Sequence, residues 1–247
     1  KEFEQIALLK NKEQYFEALE IISKIIFTKP KTISAYRKRA DLYTELKKYD
    51  KAEADLTKSI ELDPENSTAY NNRGTLYCYY LAQYDKAEAD FTKAIELDPR
   101  NSDTYNNRGY LHYYYLNQYD KGEADFTKAI ELDPKDPAAY NNRGRLYRYL
   151  QKYDKAEADL TKAIELDPEN STAYNNRGYL HDYYLNQYDK AEADYTKAIE
   201  WDPKDPAAYS NRGRLYFSLE KYDKAEADLT KAIELDPKDP AAYHNRG

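Results

Sequence analysis

The sequence predicts an all-α protein, a solenoid of about seven helix-turn-helix repeats, and three observations carry that prediction. Asp-Pro pairs fall at Asp63, Asp98, Asp133, Asp167, Asp202 and Asp236, a step of 35, 35, 34, 35 and 34 residues. Each period holds two stretches whose apolar residues recur at helical spacing. Nothing between them alternates apolar and polar residues as a half-buried strand does. A helix pair of this length cannot bury its own apolar face, so each pair must stack on its neighbours.

Taken in order, Lys1 to Thr32 forms a degenerate first repeat, Ile33 to Asp239 six full repeats, and Pro240 to Gly247 the start of a further one. All are read as one continuous domain, 1–247. Within a repeat the first helix is exemplified by Ala138 to Leu150. Asp136 before Pro137 gives it an N-cap followed by proline at the first helical position. The second helix, Lys155 to Leu166, is expected to start after Asp154, with Asp154 and Glu157 at capping-box spacing, and to stop at Asp167-Pro168. The longer repeats carry one additional residue before Gln-Tyr-Asp, which marks the connection between the helices as a loop that tolerates insertion.

A longer period lies inside the first: residues 105–173 and 174–242 are nearly the same 69-residue sequence. Within one repeat, Tyr140, Gly144, Tyr147, Ala156, Leu160, Ala163 and Pro168 match the signature of the tetratricopeptide repeat. The chain resembles that family over nearly its whole length, with Arg143 where the family commonly has leucine. The resemblance implies a right-handed α-α superhelix, a concave surface made by the first helices, and a non-enzymatic role in binding other proteins.

At 100° per residue, Tyr140, Gly144 and Tyr147 share one side of their helix, the packing side. The arginine before each glycine sits beside that face, where an unpaired charge is costly. Every full repeat combines it with an aspartate sixteen or seventeen residues on: Arg39 and Asp55, Arg73 and Asp90, Arg108 and Asp125, Arg143 and Asp159, Arg177 and Asp194, Arg212 and Asp228. These are expected to pair, within a repeat or between neighbours.

The opposite side of the first helices carries Asn72, Asn107, Asn142, Asn176, Asn211 and Asn245, with Asn71, Asn106, Asn141 and Asn175 beside them. Asparagine is a mediocre helix former, so helix propensity does not explain this run. A side-chain amide both donates to a peptide carbonyl and accepts from a peptide N–H. The row resembles the asparagine ladder with which family members hold the main chain of an extended peptide. The competing reading is that duplication copied a tolerated polar residue. Between the amides lie Tyr79, Tyr110, Tyr113, Tyr114, Tyr149, Tyr179, Tyr183 and Phe217, with Arg145, Arg148 and Arg214 among them; some of the tyrosines are alternatively read as filling contacts between neighbouring first helices. Groove charges are Arg37, Lys38, Arg145, Arg148 and Arg214 against Asp41, Glu45, Asp103 and Asp182, near neutral to slightly positive, which suits a ligand with aromatic and some acidic side chains.

Other classes are excluded or disfavoured. With 45 acidic against 38 basic residues and a net charge of -7, the chain does not suit nucleic acid as its main partner. No run approaches the length of a membrane-spanning helix. His112 and His181 take the place of a packing tyrosine and lie two repeats apart, too far for one metal ion, so they are read as core residues; no metal or cofactor is expected. Cys78 has no partner spacing for a nucleophile. The repeats do not supply the lysines with which some family members clamp a terminal carboxylate. The leading function is a scaffold, monomeric, that binds an extended peptide or partner segment in the concave groove. Alternatives are a self-assembly module or the regulatory arm of a larger protein. Lacking any methionine, the chain is read as a fragment or processed form, with a cytoplasmic setting favoured.

Overall fold

A computed structural model describes residues 12–237. Among them are thirteen α-helices, one π turn and no strand, in two compact units divided after Leu132. The first unit holds α1 (Lys12–Thr28), α2 (Ile33–Glu45), α3 (Tyr49–Leu62), α4 (Ser67–Tyr79), α5 (Tyr84–Leu97), α6 (Ser102–Tyr110) running into a π turn (Leu111–Tyr115), and α7 (Tyr119–Leu132). The second holds α8 (Pro137–Tyr149), α9 (Tyr153–Leu166), α10 (Ser171–Tyr183), α11 (Tyr188–Trp201), α12 (Pro206–Ser218) and α13 (Tyr222–Leu235). Tyr243, Asn245 and the remainder of 240–247, read above as the start of a further repeat, lie outside the described residues, as do 1–11.

The first helices start as their sequence dictates. Asp136 accepts from the Ala138 amide at 2.9 Å, and Pro137 opens α8 without losing a bond that α8 needs. Asn66, Asn101 and Asn170 do the same for Ala69, Thr104 and Ala173. The second helices start differently from expectation. α9 begins at Tyr153 with Lys152 as its cap residue and no side-chain cap bond, so Asp154 and Glu157 form no capping box. Tyr153 already packs with the Tyr147, Ala156 and Leu160 cluster, and that anchoring carries the helix back past the aspartate. Asp154 then lies in the first turn, where its charge meets the positive end of the helix dipole. Asp167 caps the far end, as the Asp-Pro pair predicts.

The inserted residue of the longer repeats is accommodated in two ways. Between α4 and α5, and between α10 and α11, it lengthens the connection, with Ala82 and Asn186 in the left-handed region at φ 51° and 53°. After α6 the helix itself absorbs it: the π turn carries the chain to Tyr115, and the connection stays as short as in the other repeats.

Close helix approach rests on small residues. A Cβ placed on Gly178 meets the Tyr195 ring at 2.9 Å, so α10 and α11 could not lie at this distance with alanine there. Ala156, Ala163, Ala191 and Ala198 are fully buried in the same interfaces.

All six arginine-aspartate pairs form, each within one repeat and each bidentate. In Arg177, Nε and Nη2 donate to the two oxygens of Asp194 at 3.0 and 2.7 Å. The third direction of the fork reaches back one repeat: Nη1 of Arg73, Arg108, Arg177 and Arg212 donates to Thr57, Thr92, Thr161 and Thr196. Even Arg39 finds Ser23 of the degenerate repeat, at 3.2 Å. The planar guanidinium groups of Arg39, Arg73, Arg108, Arg177 and Arg212 therefore each join three helices, which a lysine with its point charge cannot do.

Candidate functional site

The residues expected to face the groove sit on α2, α4 and α6 in the first unit and on α8, α10 and α12 in the second, the helices that open each repeat. The asparagines are half-buried, and Asn141 is buried. They meet each other across neighbouring repeats. Asn107 Nδ2 donates to Asn71 Oδ1 at 3.1 Å, Asn176 to Asn141 at 2.9 Å, and Asn211 to Asn175 at 3.0 Å. These bonds use one N–H of Asn107, Asn176 and Asn211 and leave their carbonyl oxygens for an acceptor role. Asn72 lines an open cleft with Asp41, Thr44, Glu45, Leu56, Thr75, Leu76 and Tyr80. Asn106 and Asn142 lie at the matching positions on α6 and α8.

Around the amides, the two units differ. In the first, tyrosines pack on tyrosines: Tyr79 on Tyr110 at 5.3 Å, Tyr110 stacked on Tyr114 at 5.3 Å, Tyr114 edge-on to Tyr115 at 5.1 Å, and Tyr115 stacked on Tyr84 at 4.6 Å. In the second, tyrosines alternate with guanidinium groups. Arg148 lies 4.4 Å over Tyr179, Tyr179 stacks on Tyr183 at 4.1 Å, and Arg214 lies 3.6 Å over Tyr183. Tyr114 and Tyr149 are more than half exposed at the groove, whereas Arg145 and Arg148 are half-buried. Phe217 is also exposed, at 56%.

Two positions expected to face the groove, Tyr113 and Asp182, are in the interior instead, one turn beyond Tyr110 and Tyr179 of their helices, and Cys78 at the equivalent position is buried as well. The hundred-degree wheel places them at the margin of the groove, and the following second helix closes over them. Asp182 is held there by Arg214, whose Nη2 donates to Oδ2, and by the Tyr195 hydroxyl at 3.3 Å. Burial pushes the Cys78 thiol up to about 12, which leaves it a poor nucleophile at neutral pH.

His112 and His181 are buried, as a core role requires, and each ring bridges two carboxylates. His112 contacts Asp125 through Nδ1 and Glu88 through Nε2, both at 3.0 Å; His181 contacts Asp194 and Glu157 at 3.0 and 3.1 Å. Elsewhere a tyrosine at this position reaches the same glutamate, as Tyr77 does with Glu53 at 2.8 Å. Sequence reasoning missed these bridges, although the coincidence of histidine with the paired arginine and aspartate was visible. Burial acts to raise the Asp125 and Asp194 carboxyls, but bonds from the histidines and arginines outweigh it and hold both below the usual range. No group of histidine, cysteine and carboxylate residues suited to a metal ion occurs among the described residues. No described helix is long and apolar enough to cross a membrane.

Family models described as Tetratricopeptide repeat match residues 33–66, 137–170 and 206–239, and again 56–89, 91–124 and 160–193. A further one matches 111–148, and a model described as TPR repeat matches 182–219. The chain is a tetratricopeptide repeat protein. Among solved structures, this TPR chain is similar in fold to the APC/C hetero-tetramer Cut9-Hcn1, with a TM-score of 0.81 at 17% identity, covering 93% of this chain and 45% of that one. It is also similar to YrrB, described as a TPR protein with an unusual peptide-binding site, with a TM-score of 0.55 at 26% identity, covering 76% of this chain and 96% of that one. A UDP-N-acetylglucosamine--peptide N-acetylglucosaminyltransferase of Giardia intestinalis is 38% identical over 65 residues, 26% of this chain. That match spans only 4% of the transferase. TPR repeats serve as protein-protein interaction scaffolds, and the family is typically non-enzymatic.

Proposed function

We propose that the protein is a non-enzymatic scaffold that holds an extended segment of a partner protein along the groove faces of its first helices. The observation that carries this reading is the repeated half-buried amide at Asn107, Asn176 and Asn211. Each is fixed by its bond to the preceding repeat, and each keeps a carbonyl oxygen able to accept a main-chain N–H. Fixed amides cost little entropy to use, and flanking tyrosines offer rigid contact area. The peptide-binding site ascribed to YrrB, a relative in fold and sequence, supports the same direction. The test is a random-peptide array probed with the full chain, repeated with Asn107, Asn176 and Asn211 changed together to alanine. Capture of extended peptides is expected to fall at least about tenfold, the scale of a few lost hydrogen bonds. Undiminished capture by the triple variant removes the amides from the function.

A further inference from the structure

In the second unit Arg148 and Arg214 lie within 4.4 and 3.6 Å of the centroids of tyrosine rings, and they differ in what else meets them. The column runs Arg148, Tyr179, Tyr183, Arg214 across α8, α10 and α12, with 4.4, 4.1 and 3.6 Å between successive groups. Arg214 lies over Tyr183 and its Nη2 meets the Asp182 carboxylate. That carboxylate is buried and also accepts the Tyr195 hydroxyl, so it is committed. Arg148 has the same kind of face contact, with Tyr179, but among the described residues no carboxylate lies within ion-pair distance of it.

A guanidinium whose face is covered by a ring keeps its N–H donors in plane at its rim. That rim fits a planar carboxylate, which can take two parallel bonds. Half-buried against aromatic rings, the charge is less well hydrated than on an open surface, and an incoming anion gains correspondingly more. The surroundings have the right sign: Arg145, Arg148 and Arg214 are all expected at this part of the groove, and the carboxylate beside them, Asp182, is buried and paired with Arg214. We propose that Arg148, on its Tyr179 platform, recognises the carboxylate of an aspartate or glutamate side chain in the bound segment, edge-on, as Arg214 takes Asp182. The inference rests on the groove reading above and narrows it: the segment seated in the second unit carries an acidic residue, flanked by a side chain that packs on the exposed ring of Tyr149.

The test uses the full chain and two synthetic peptides of tyrosine, serine and glycine that differ only in carrying glutamate or glutamine at the same central positions, measured by fluorescence anisotropy. The glutamate peptide is expected to bind about tenfold more tightly, the increment of one charge-assisted bidentate contact. Arg148→Gln should bring that ratio to about one; Arg148→Lys, which keeps the charge but loses the fork, should restore only part of it. Unchanged melting of both variants shows that folding is not the cause. A ratio near one in the parent chain, or a ratio that survives Arg148→Gln, overturns the proposal. So does competition by inorganic phosphate alone at the affinity of the glutamate peptide, which marks a general anion site. If the glutamine peptide binds and the asparagine triple variant abolishes it, loss of the glutamate preference removes this inference alone. If neither peptide binds, the groove reading falls with it.

Discussion

Residues 105–132 in the first unit and 174–201 in the second are copies of one repeat that differ at four positions: Tyr113 and Asp182, Gly122 and Ala191, Phe126 and Tyr195, Leu132 and Trp201. Three of the four changes meet. In the first copy a Cβ on Gly122 would stand 3.3 Å from the Tyr113 Cβ, so the glycine makes room for the buried ring beside the π turn. In the second copy the aspartate is smaller, the glycine has become alanine, the helix is regular through Tyr183, and phenylalanine has gained a hydroxyl that donates to the aspartate. The shared scaffold of Arg108 with Asp125, or Arg177 with Asp194, is untouched. At this buried margin the second copy therefore holds an aspartate that pairs with Arg214, where the first copy packs a tyrosine ring.

The largest effects should come from the part both copies share. Asp194→Ala strips Arg177 and His181 of one buried partner at once, and a cost of about 3–5 kcal/mol is expected by denaturant titration. Asp228→Ala removes only the partner of Arg212 and should cost less; equal losses show that the histidine contact adds nothing. Next comes the margin itself. Asp182→Tyr alone inserts a ring where Ala191 leaves no space and should cost about 1–3 kcal/mol, whereas adding Ala191→Gly and Tyr195→Phe should recover at least half. Additive losses in the triple variant break the claim that the three positions act together.

The acid limb of the stability curve sharpens the comparison from both sides. Glu88, through its bond from His112, and Asp125 and Asp194 are held below their ordinary values when folded. Their contribution is complete above the unfolded carboxylate range, about 4, and is lost as pH falls through the lower folded values. The chain should therefore lose stability below about pH 4, and Asp125→Asn with Asp194→Asn should flatten that slope, as urea midpoints between about pH 3 and 6 can show. The smallest effect tests one bond that only the second copy has: Tyr195→Phe should cost about 0.5–1.5 kcal/mol for its bond to Asp182, read from the urea midpoint.

Most of the fold was legible because repetition turns a weak local signal into a strong one. The Asp-Pro step, the N-cap at Asp136 and the pairing of arginine with aspartate all follow from residues that recur in register. What could not be read depends on depth at the edge of a face. Tyr113 and Asp182 sit at an angle where burial is decided by the neighbouring helix, and no periodicity encodes that. The recurrence of the asparagines was legible, but not their amide-to-amide bonds, because positions one residue apart in successive repeats come together only through the offset between helices. The capping box failed because Tyr153 packs, and packing outweighs a cap in choosing where a helix begins.

The reach of each guanidinium has a consequence for how such a chain grows. Every copied repeat carries both halves of the joint: an arginine with its own aspartate, and, on its second helix, a threonine hydroxyl for the arginine that follows. A copy inserted between two such repeats mates at both ends without a single new residue. Lengthening the array is then neutral for its internal joints from the moment of duplication, and selection is left free to edit the few positions at the margin that decide what is held.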